Sequence, residues 1–333
     1  MTIETPALSE PQTSLIAKAF PGARLLSVQQ APEPWQPFTP RVWLALPDGA
    51  EKSVDFRGDI DSARAALLPV LERHGIPGPR ILHGPVQAGE HYITLCEQAR
   101  GENLTFWTLG GTPHRIRLAT ERAFEGIDRL QGVTDALLAD PVGAALPKRT
   151  LTDELEILTT DERWNADPWL VEAGSDRSAW LRDAWFAAAV SRVRAAVADI
   201  SEPLVYTSYT HFFPQGYRIQ PGTDSSDEPL GWPGDPHYGH NPLVEFVYLF
   251  GHFGDPLLGL AMVWVYDCYP FVHTGFVEQF LWRRGVTRRE FAPRLALKAL
   301  QMVARDLPFT RPSESSRYWD SLRGWVDQAL SWM

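Results

Sequence analysis

Cysteine and concentrated positive charge are both scarce in this chain of 333 residues. Its 31 lysines and arginines face 41 aspartates and glutamates, and the formal net charge is −10 at pH 7. Nucleic-acid binding needs a positive face that neutralises phosphates, so this balance argues against a nucleic-acid partner. The two cysteines, Cys96 and Cys268, lie far apart inside apolar runs. They predict reduced thiols packed in the core of a cytoplasmic protein.

Segments that would direct the chain to a membrane are also missing. The amino terminus is acidic and has no basic start followed by an apolar run, so we expect no signal peptide. The most apolar stretch, residues 243–266, contains Glu245, His252, Asp255 and Pro256, so we expect no membrane partner and no membrane span. Tryptophan, in contrast, is abundant with 13 copies, and aromatic rings supply wide, stiff contacts in cores and ligand pockets alike.

The first third of the chain predicts a five-stranded antiparallel sheet with helices beside it. Strand patterns occur at residues 24–28, 41–46 and 52–57, and residues 76–82 lead into a hairpin that ends at residues 92–97. Helical spacing predicts a short helix at residues 14–20 and a longer one at residues 62–74, which Gly75 ends. We therefore expect a flexible terminus over residues 1–12 and an amino-terminal lobe over residues 13–100.

Helical patterns dominate the remainder, residues 101–333, which we expect to form a mostly helical carboxy-terminal lobe. The expected helices lie at residues 120–138, 151–160, 178–200, 276–282, 287–305 and 313–332, and the apolar run at residues 243–265 is interpreted as another. Residues 203–242 form the stretch around which the chain is organised. In order, it contains a strand at Leu204-Val205-Tyr206, a break at Pro214-Gln215-Gly216, an extended piece at Tyr217-Arg218-Ile219, and Leu230-Gly231-Trp232 before a loop rich in Gly, Pro and His.

Three further segments carry a resemblance to a known family. GIPGPRILHG at residues 75–84 looks like Gly-Ile-Pro-Val-Pro-Arg-Val-Leu, and ITLCEQARGENL at residues 93–104 is similar to a hinge that ends Glu-x-x-x-Gly-x-x-Leu. EQFLWRRGVTRREFAPRL at residues 278–295 is similar to Phe-x-x-Gly-Ile-Thr-x-x-x-Phe. These patterns belong to the aminoglycoside phosphotransferase and choline kinase family, which the chain resembles over nearly its whole length. The resemblance implies a two-lobed α+β protein-kinase-like fold.

The acids of that family are absent from the central stretch. The family's first turn reads His-Gly-Asp-Leu-His-Pro-Gly-Asn, and its second strand ends Ile-Asp-Trp. Here no Asp or Asn occurs between Pro203 and Gln220, and the Asp expected before Trp232 is Gly231. The catalytic Asp falls on Ser208, Thr210 or Phe212, depending on how the turn is aligned, and none of these is a carboxylate.

The residues that would hold a nucleotide are missing too. The turn between the first two strands, residues 30–40, has four prolines and no glycine. Proline has no N–H and stiffens the loop, so the turn is poorly suited to wrap a triphosphate. Where the resembling family has a phosphate-binding Lys on the third strand, this chain has Asp55. Because phosphoryl transfer depends on carboxylates and metal ions, we expect no catalytic residues, no nucleotide cofactor and no kinase activity.

The residues leave two alternatives open, an active phosphotransferase with relocated acids and a metal site. Asp55 or Asp235 would serve as relocated acids of an active phosphotransferase, although Asp235 before Pro236 is a typical turn residue. The spacing of His237 and His240, with His211 nearby, suits metal ligands, but loop histidines also bond to backbone. We expect no metal.

What is left at the centre is an apolar site with a few polar groups, which suits a small, flat organic ligand. An alternative is that the same rings fill the vacated cavity and bind nothing. The expected ligand-binding residues are Tyr206, Ser208, Tyr209, His211, Phe212, Trp232, Asp235, His237, Tyr238 and His240, with Trp164, Trp169, Tyr318 and Trp319 beside them.

The function that this reasoning favours is drug binding without chemistry. We interpret the chain as an inactive relative of antibiotic phosphotransferases that sequesters a small aromatic natural product in self-resistance. It looks like the kinase-fold proteins that confer resistance to the DNA-alkylating antibiotic azinomycin. The alternatives are an active natural-product enzyme with relocated acids and a pseudokinase scaffold.

Overall fold

A computed structural model describes residues 8–29, 40–59, 62–76, 78, 80–89, 91–98, 102–109, 112–159, 184–201, 203–219, 243–246, 251–306 and 312–333. The chain divides into two compact units. Unit 1 comprises residues 1–107, 135–146 and 215–250, and unit 2 comprises residues 108–134, 147–214 and 251–333.

Unit 1 is built on the expected five-stranded antiparallel sheet, with strand order β1-β2-β3-β5-β4. The strands are β1 (Arg24–Gln29), β2 (Arg41–Ala45), β3 (Glu51–Asp59), β4 (Ile81–Ala88) and β5 (His91–Glu97). Period-two alternation buries one face, since Val42, Leu44, Val54 and Phe56 are each fully buried. The opposite face of β2 and β3 carries the polar residues of the pattern.

Helix α1 (Glu10–Ala19) covers the apolar face of this sheet. It starts four residues before the expected position, because Ser9 and Gln12 form a reciprocal capping box ahead of it. Leu15 and Ile16 of α1 pack in one cluster with the buried strand residues. The expected long helix is α2 (Ser62–Arg73), and the His74-Gly75 turn ends it.

Two shorter segments complete the described part of unit 1. A second sheet has the order β6-β8-β9, from β6 (Glu102–Asn103), β8 (Tyr217–Ile219) and β9 (Leu243–Phe246). The short helices are α3 (Leu104–Thr108), which runs into unit 2, α5 (Thr134–Ala139), whose first residue belongs to unit 2, and α6 (Pro141–Ala144). An exposed ion pair joins Arg73 of α2 to Asp140 at 2.9 Å.

Unit 2 is mostly helical, as expected. Its helices are α4 (Pro113–Gly132), α7 (Leu151–Thr159), α8 (Ala184–Ala198), α9 (Ala261–Val265), α10 (Phe276–Arg283), α11 (Arg288–Asp306) and α12 (Pro312–Trp332). Helix α4 starts earlier than predicted because Thr112 accepts a bond from the Arg115 N–H as N-cap, with Pro113 next. No helix in the part of the chain that the structure describes is long and apolar enough to cross a bilayer.

The helix predicted over residues 243–265 is wrong. This run instead contains β9, a second strand β10 (His252–Gly254), turns, and only the short α9. Periodicity does not separate a buried strand from a buried helix in a continuous apolar run. The glycines Gly251 and Gly254 and the break at Pro256 favour extended and turn structure, and pairing of β9 with β8 and of β10 with β7 satisfies the backbone.

Strand β10 pairs antiparallel with β7 (Val205–Thr207), and His252 faces Thr207 in this pair. On its other edge, the Phe253 N–H donates to Pro147 O and the Arg149 N–H donates to Phe253 O, at 2.9 and 2.8 Å. Beyond β10, the Asp255 carboxylate accepts from Arg294 of α11 in a buried, two-pronged ion pair with contacts of 2.8–2.9 Å. It also accepts the Leu257 N–H at 2.9 Å.

We expect Arg294→Met to lower the free energy of unfolding by about 3–5 kcal/mol, because it leaves the Asp255 carboxylate buried without its cation. The matched control is Arg73→Met, which breaks an ion pair whose arginine is 60% exposed. Breaking that pair should cost less than about 1 kcal/mol. Urea denaturation of the three proteins measures both values, and equal costs would contradict this account of β10.

Candidate functional site

The turn that follows β7 is the candidate site, and its own hydrogen bonds shape it. The Ser208 hydroxyl accepts the Thr210 N–H at 3.3 Å and lies 2.9 Å from the Thr210 hydroxyl. A single 3₁₀ turn, Tyr209–Phe212, follows, in which the His211 N–H donates to Ser208 O at 3.1 Å. A second, Pro214–Gly216, leads into β8. The turn therefore runs inward before it reaches the next strand.

Phe212 anchors this turn in the core of unit 2. Its ring is fully buried and lies edge-on to Phe280 of α10, with 5.9 Å between ring centroids. The ring has room because residue 259 is glycine, where a Cβ atom would lie 2.5 Å from Phe212 Cδ2. Phe212 is therefore a packed core side chain.

Tyr206 fixes the strand that enters the turn. Its ring is fully buried, 6.5 Å from Phe253 of β10 and 5.5 Å from the His211 ring between centroids. Its N–H donates to the hydroxyl of Thr134, the first residue of α5, at 2.9 Å. A Cβ atom on Gly251 would lie 2.7 Å from the Tyr206 ring. Glycine at both 251 and 259 is thus required by the rings of this site.

His211 is only 2% exposed. Burial, with a smaller contribution from the neighbouring His252, lowers the pKa of His211 to about 3. The imidazole is therefore neutral near pH 7. It is held in the interior, and it does not carry the charge that a carboxylate would bring to the turn.

The resembling family's motif can be aligned with this turn in more than one way. The Asp falls on Ser208, Thr210 or Phe212 in the alignments above, and it falls on His211 if Pro214 is matched to the proline of His-Gly-Asp-Leu-His-Pro-Gly-Asn. None of these residues is a carboxylate. Tyr217, the first residue of β8, is fully buried, and burial raises the pKa of its hydroxyl well above the usual value. The turn therefore has no carboxylate on which a metal ion or an acceptor proton could be held.

The second strand of this motif lies later in the chain than predicted. The strand that pairs antiparallel with β8 is β9, Leu243–Phe246, and a long stretch of chain separates the two. Gly231-Trp232, expected at the end of the second strand, lies outside the described residues. The residues after Phe246 read Val-Tyr-Leu-Phe, so the corrected position has no Asp either. They lie outside the described residues.

In unit 1, Asp55 is committed to a neighbouring strand. Arg41 Nε and Nη2 donate to the two Asp55 carboxylate oxygens at 2.8 and 3.0 Å, in a forked pair. The side chains are 22% and 20% exposed. Lys52 lies on the other face, over the Phe20 ring at 5.3 Å and 3.7 Å from Glu97. Strand β3 therefore presents no lysine beside Asp55.

The other expected site residues are placed only in part. Tyr209 lies in the 3₁₀ turn, and Tyr318 and Trp319 lie in α12, with side chains outside the description. Seven more lie outside the described residues: Trp164, Trp169, Trp232, Asp235, His237, Tyr238 and His240. Within the residues that are described, no group of three His, Cys, Asp or Glu side chains is arranged to hold a metal ion.

Sequence reasoning missed a polar cluster behind the turn. His252 Nε2 lies 3.7 Å from Glu154 Oε1, and Gln301 Nε2 donates to Glu154 Oε2 at 2.8 Å. Glu154, His252 and Gln301 come from α7, β10 and α11. No local motif marks them, because only the fold brings three distant segments together.

Comparisons with known proteins identify the fold. No family model matches the chain, and no curated protein matches its sequence. A thermostable mutant of aminoglycoside phosphotransferase APH(4)-Ia, in a ternary complex with AMP-PNP and hygromycin B, has 13% identity and a TM-score of 0.59 over 97% of this chain and 99% of that chain. The GDP and kanamycin complex of APH(2")-IIia has 14% identity and a TM-score of 0.54 over 97% and 98%. The protein-kinase-like fold predicted from the sequence is confirmed.

A double-mutant cycle tests the packing of Phe212 against Gly259. Phe212→Ala should cost about 3–5 kcal/mol of stability, and Gly259→Ala about 1–3 kcal/mol because its methyl group meets the ring. In the double variant the methyl group enters the space that the ring vacates. The two costs should therefore fall short of additivity by about 0.5–3 kcal/mol in chemical denaturation. Additive costs would mean that Phe212 does not pack on Gly259.

Proposed function

We propose that this protein is a phosphotransferase-fold protein that binds a small aromatic natural product without phosphorylating it, and so protects its host from a toxic compound by sequestration. The observation that carries the proposal is the turn after β7. None of the residues on which the resembling family's Asp could fall is a carboxylate; His211 among them is buried and neutral, and Phe212 is a core residue. Phosphoryl transfer has neither base nor metal ligand at this turn.

The buried residues have a supporting role in this proposal. Tyr206, His211 and Phe212 are almost completely buried, so they form the packed base of the turn and do not offer an open surface. The ligand contacts are assigned to the aromatic and imidazole residues expected from the sequence, above all Trp232, His237, Tyr238 and His240. Flat rings with a few polar groups recognise a flat, partly polar molecule.

The alternative with relocated acids is disfavoured by one specific contact. Asp55 is held by the forked bonds from Arg41, so a metal ion at Asp55 would have to displace a guanidinium group. Asp235 lies outside the described residues. The scaffold alternative has no observation in its favour.

Thermal unfolding with three ligand classes tests the proposal. The arms are ATP with Mg²⁺, the aminoglycosides hygromycin B and kanamycin, and azinomycin as the aromatic natural product. A ligand at about 100 times its Kd stabilises a protein by about 2.7 kcal/mol, which raises Tm by several degrees. We expect a shift with azinomycin and none with ATP and Mg²⁺, and we expect the drug to be recovered chemically unaltered. Transfer of phosphate from ATP to any of the three drugs would overturn the proposal.

Trp232→Ala tests where the ligand binds. We expect this variant to lose most of the tryptophan fluorescence quenching that azinomycin causes. The control is Trp282→Ala, which removes a tryptophan that is 81% exposed and should leave the quenching curve unchanged. Equal affinity in both variants would place the ligand elsewhere and leave the proposed function standing.

A further inference from the structure

Two imidazoles, one buried and one partly exposed, lie near the central turn. His211 belongs to the turn itself, and His252 faces Thr207 in the β7–β10 pair that leads into it. The His252 side chain is 21% exposed, and His211 is 2% exposed. His211 therefore belongs to the core of unit 2, and His252 belongs to the strand pair beside it.

The charges around this pair of imidazoles are mostly positive. Arg149, which precedes α7, and Lys298 of α11 both lie close enough to His252 to disfavour its protonation. The nearby counter-charge is Glu154 of α7, whose Oε1 is 3.7 Å from His252 Nε2 and 3.6 Å from Arg149 Nη1. Asp255, just after β10, is already bonded to Arg294. A proton on His252 would thus add to the positive charge of Arg149 and Lys298. A proton on His211 is disfavoured in turn by the neighbouring His252.

Packing and strand pairing both restrain the His252 ring. A Cβ atom on Gly254 would lie 2.6 Å from His252 Nε2, so the ring packs against that glycine. The strand that carries it is bonded on both edges, to β7 and to Pro147 and Arg149. The His211 ring, which is 2% exposed, reaches water only if the turn and the β7–β10 pair open, and the partly exposed His252 ring gains further exposure in the same opening.

We propose that His211 and His252 make the β7–β10 pair and the central turn an acid-sensitive element, which opens locally when an imidazole takes up a proton. The opening exposes the turn and the base on which it packs. This inference goes beyond the proposed function and does not depend on any ligand.

The sign of the effect follows from linkage. Burial lowers the pKa of His252 to about 4, with Glu154 opposing the shift and Arg149 and Lys298 adding to it; burial lowers the pKa of His211 to about 3. Once exposed, each imidazole titrates near 6.5. The free energy that favours the closed state over the open state is therefore largest above about pH 6.5. It decreases as the pH falls toward the lowered pKa values of the two imidazoles. Between pH 7.5 and 5.0, each imidazole multiplies the open population by about 30-fold.

Amide hydrogen exchange of the full chain tests the inference, with rates corrected for their intrinsic pH dependence. Between pH 7.5 and 5.0, peptides that cover residues 205–213 and 251–255 should lose about a thousandfold in protection, the product of two 30-fold terms. Peptides from β2 and β3 in unit 1 contain no histidine and should keep theirs. Unchanged protection in residues 205–213 and 251–255, or an equal loss in β2 and β3, would overturn the inference.

Variants separate the two imidazoles from a general effect of acid. His252→Gln keeps a side chain of similar reach that does not titrate, and should reduce the loss of protection from about a thousandfold to about 30-fold. His211→Gln should act in the same way, and it replaces the first variant if that one does not fold. The control is His273→Gln, an exposed histidine of the same unit, which should leave the full loss unchanged. A thousandfold loss that persists in both test variants would contradict the assignment.

Discussion

Phe212 has room in the core only because residue 259 has no side chain. That contact directs the turn after β7 inward, and the rest of the site follows from it. Once the Phe212 ring lies against Phe280, the residue before it, His211, is drawn into the interior with Tyr206 and β10 around it. A turn built in this way buries rings and an imidazole, whereas phosphoryl transfer needs carboxylates that can reach a metal ion and an acceptor.

Carboxylates in both units are paired with other side chains. Asp255 is neutralised by the guanidinium of Arg294, and Glu154 accepts from Gln301 with Arg149 and His252 close by. Asp55 of unit 1 is likewise paired with an arginine. Each of these acids is held by a basic or amide partner in its own unit. The fold has kept negative charge where it stabilises the structure, and the central turn has none to offer a metal ion.

Much of the fold could be predicted from the sequence, because its strongest signals are local. The strands of the amino-terminal sheet and the helices α2, α7 and α11 follow from alternation, helical spacing and caps within a few residues. The apolar run at 243–265 does not form the predicted helix, because a buried strand and a buried helix look alike when most positions are apolar. What decides between them is the pairing of β10 with β7 and of β9 with β8. Both partners lie far from this run in the sequence.

The candidate site was predictable in part for the same reason. The lack of acids in the central stretch is a property of the sequence itself, and it holds after the second strand is moved to β9. The burial of Phe212, in contrast, depends on Gly259, and the polar cluster of Glu154, His252 and Gln301 depends on three separate elements. Such contacts carry no local pattern. They are visible only once the chain is folded.

The most direct measurement is a crystal structure of the protein soaked with AMP-PNP and Mg²⁺. The account predicts that neither nucleotide nor metal ion is ordered in the crystal, and that Phe212 and His211 stay in the interior of unit 2. An ordered nucleotide with a metal ion held by side chains of this protein, or a turn whose Phe212 ring has left Gly259, would contradict it.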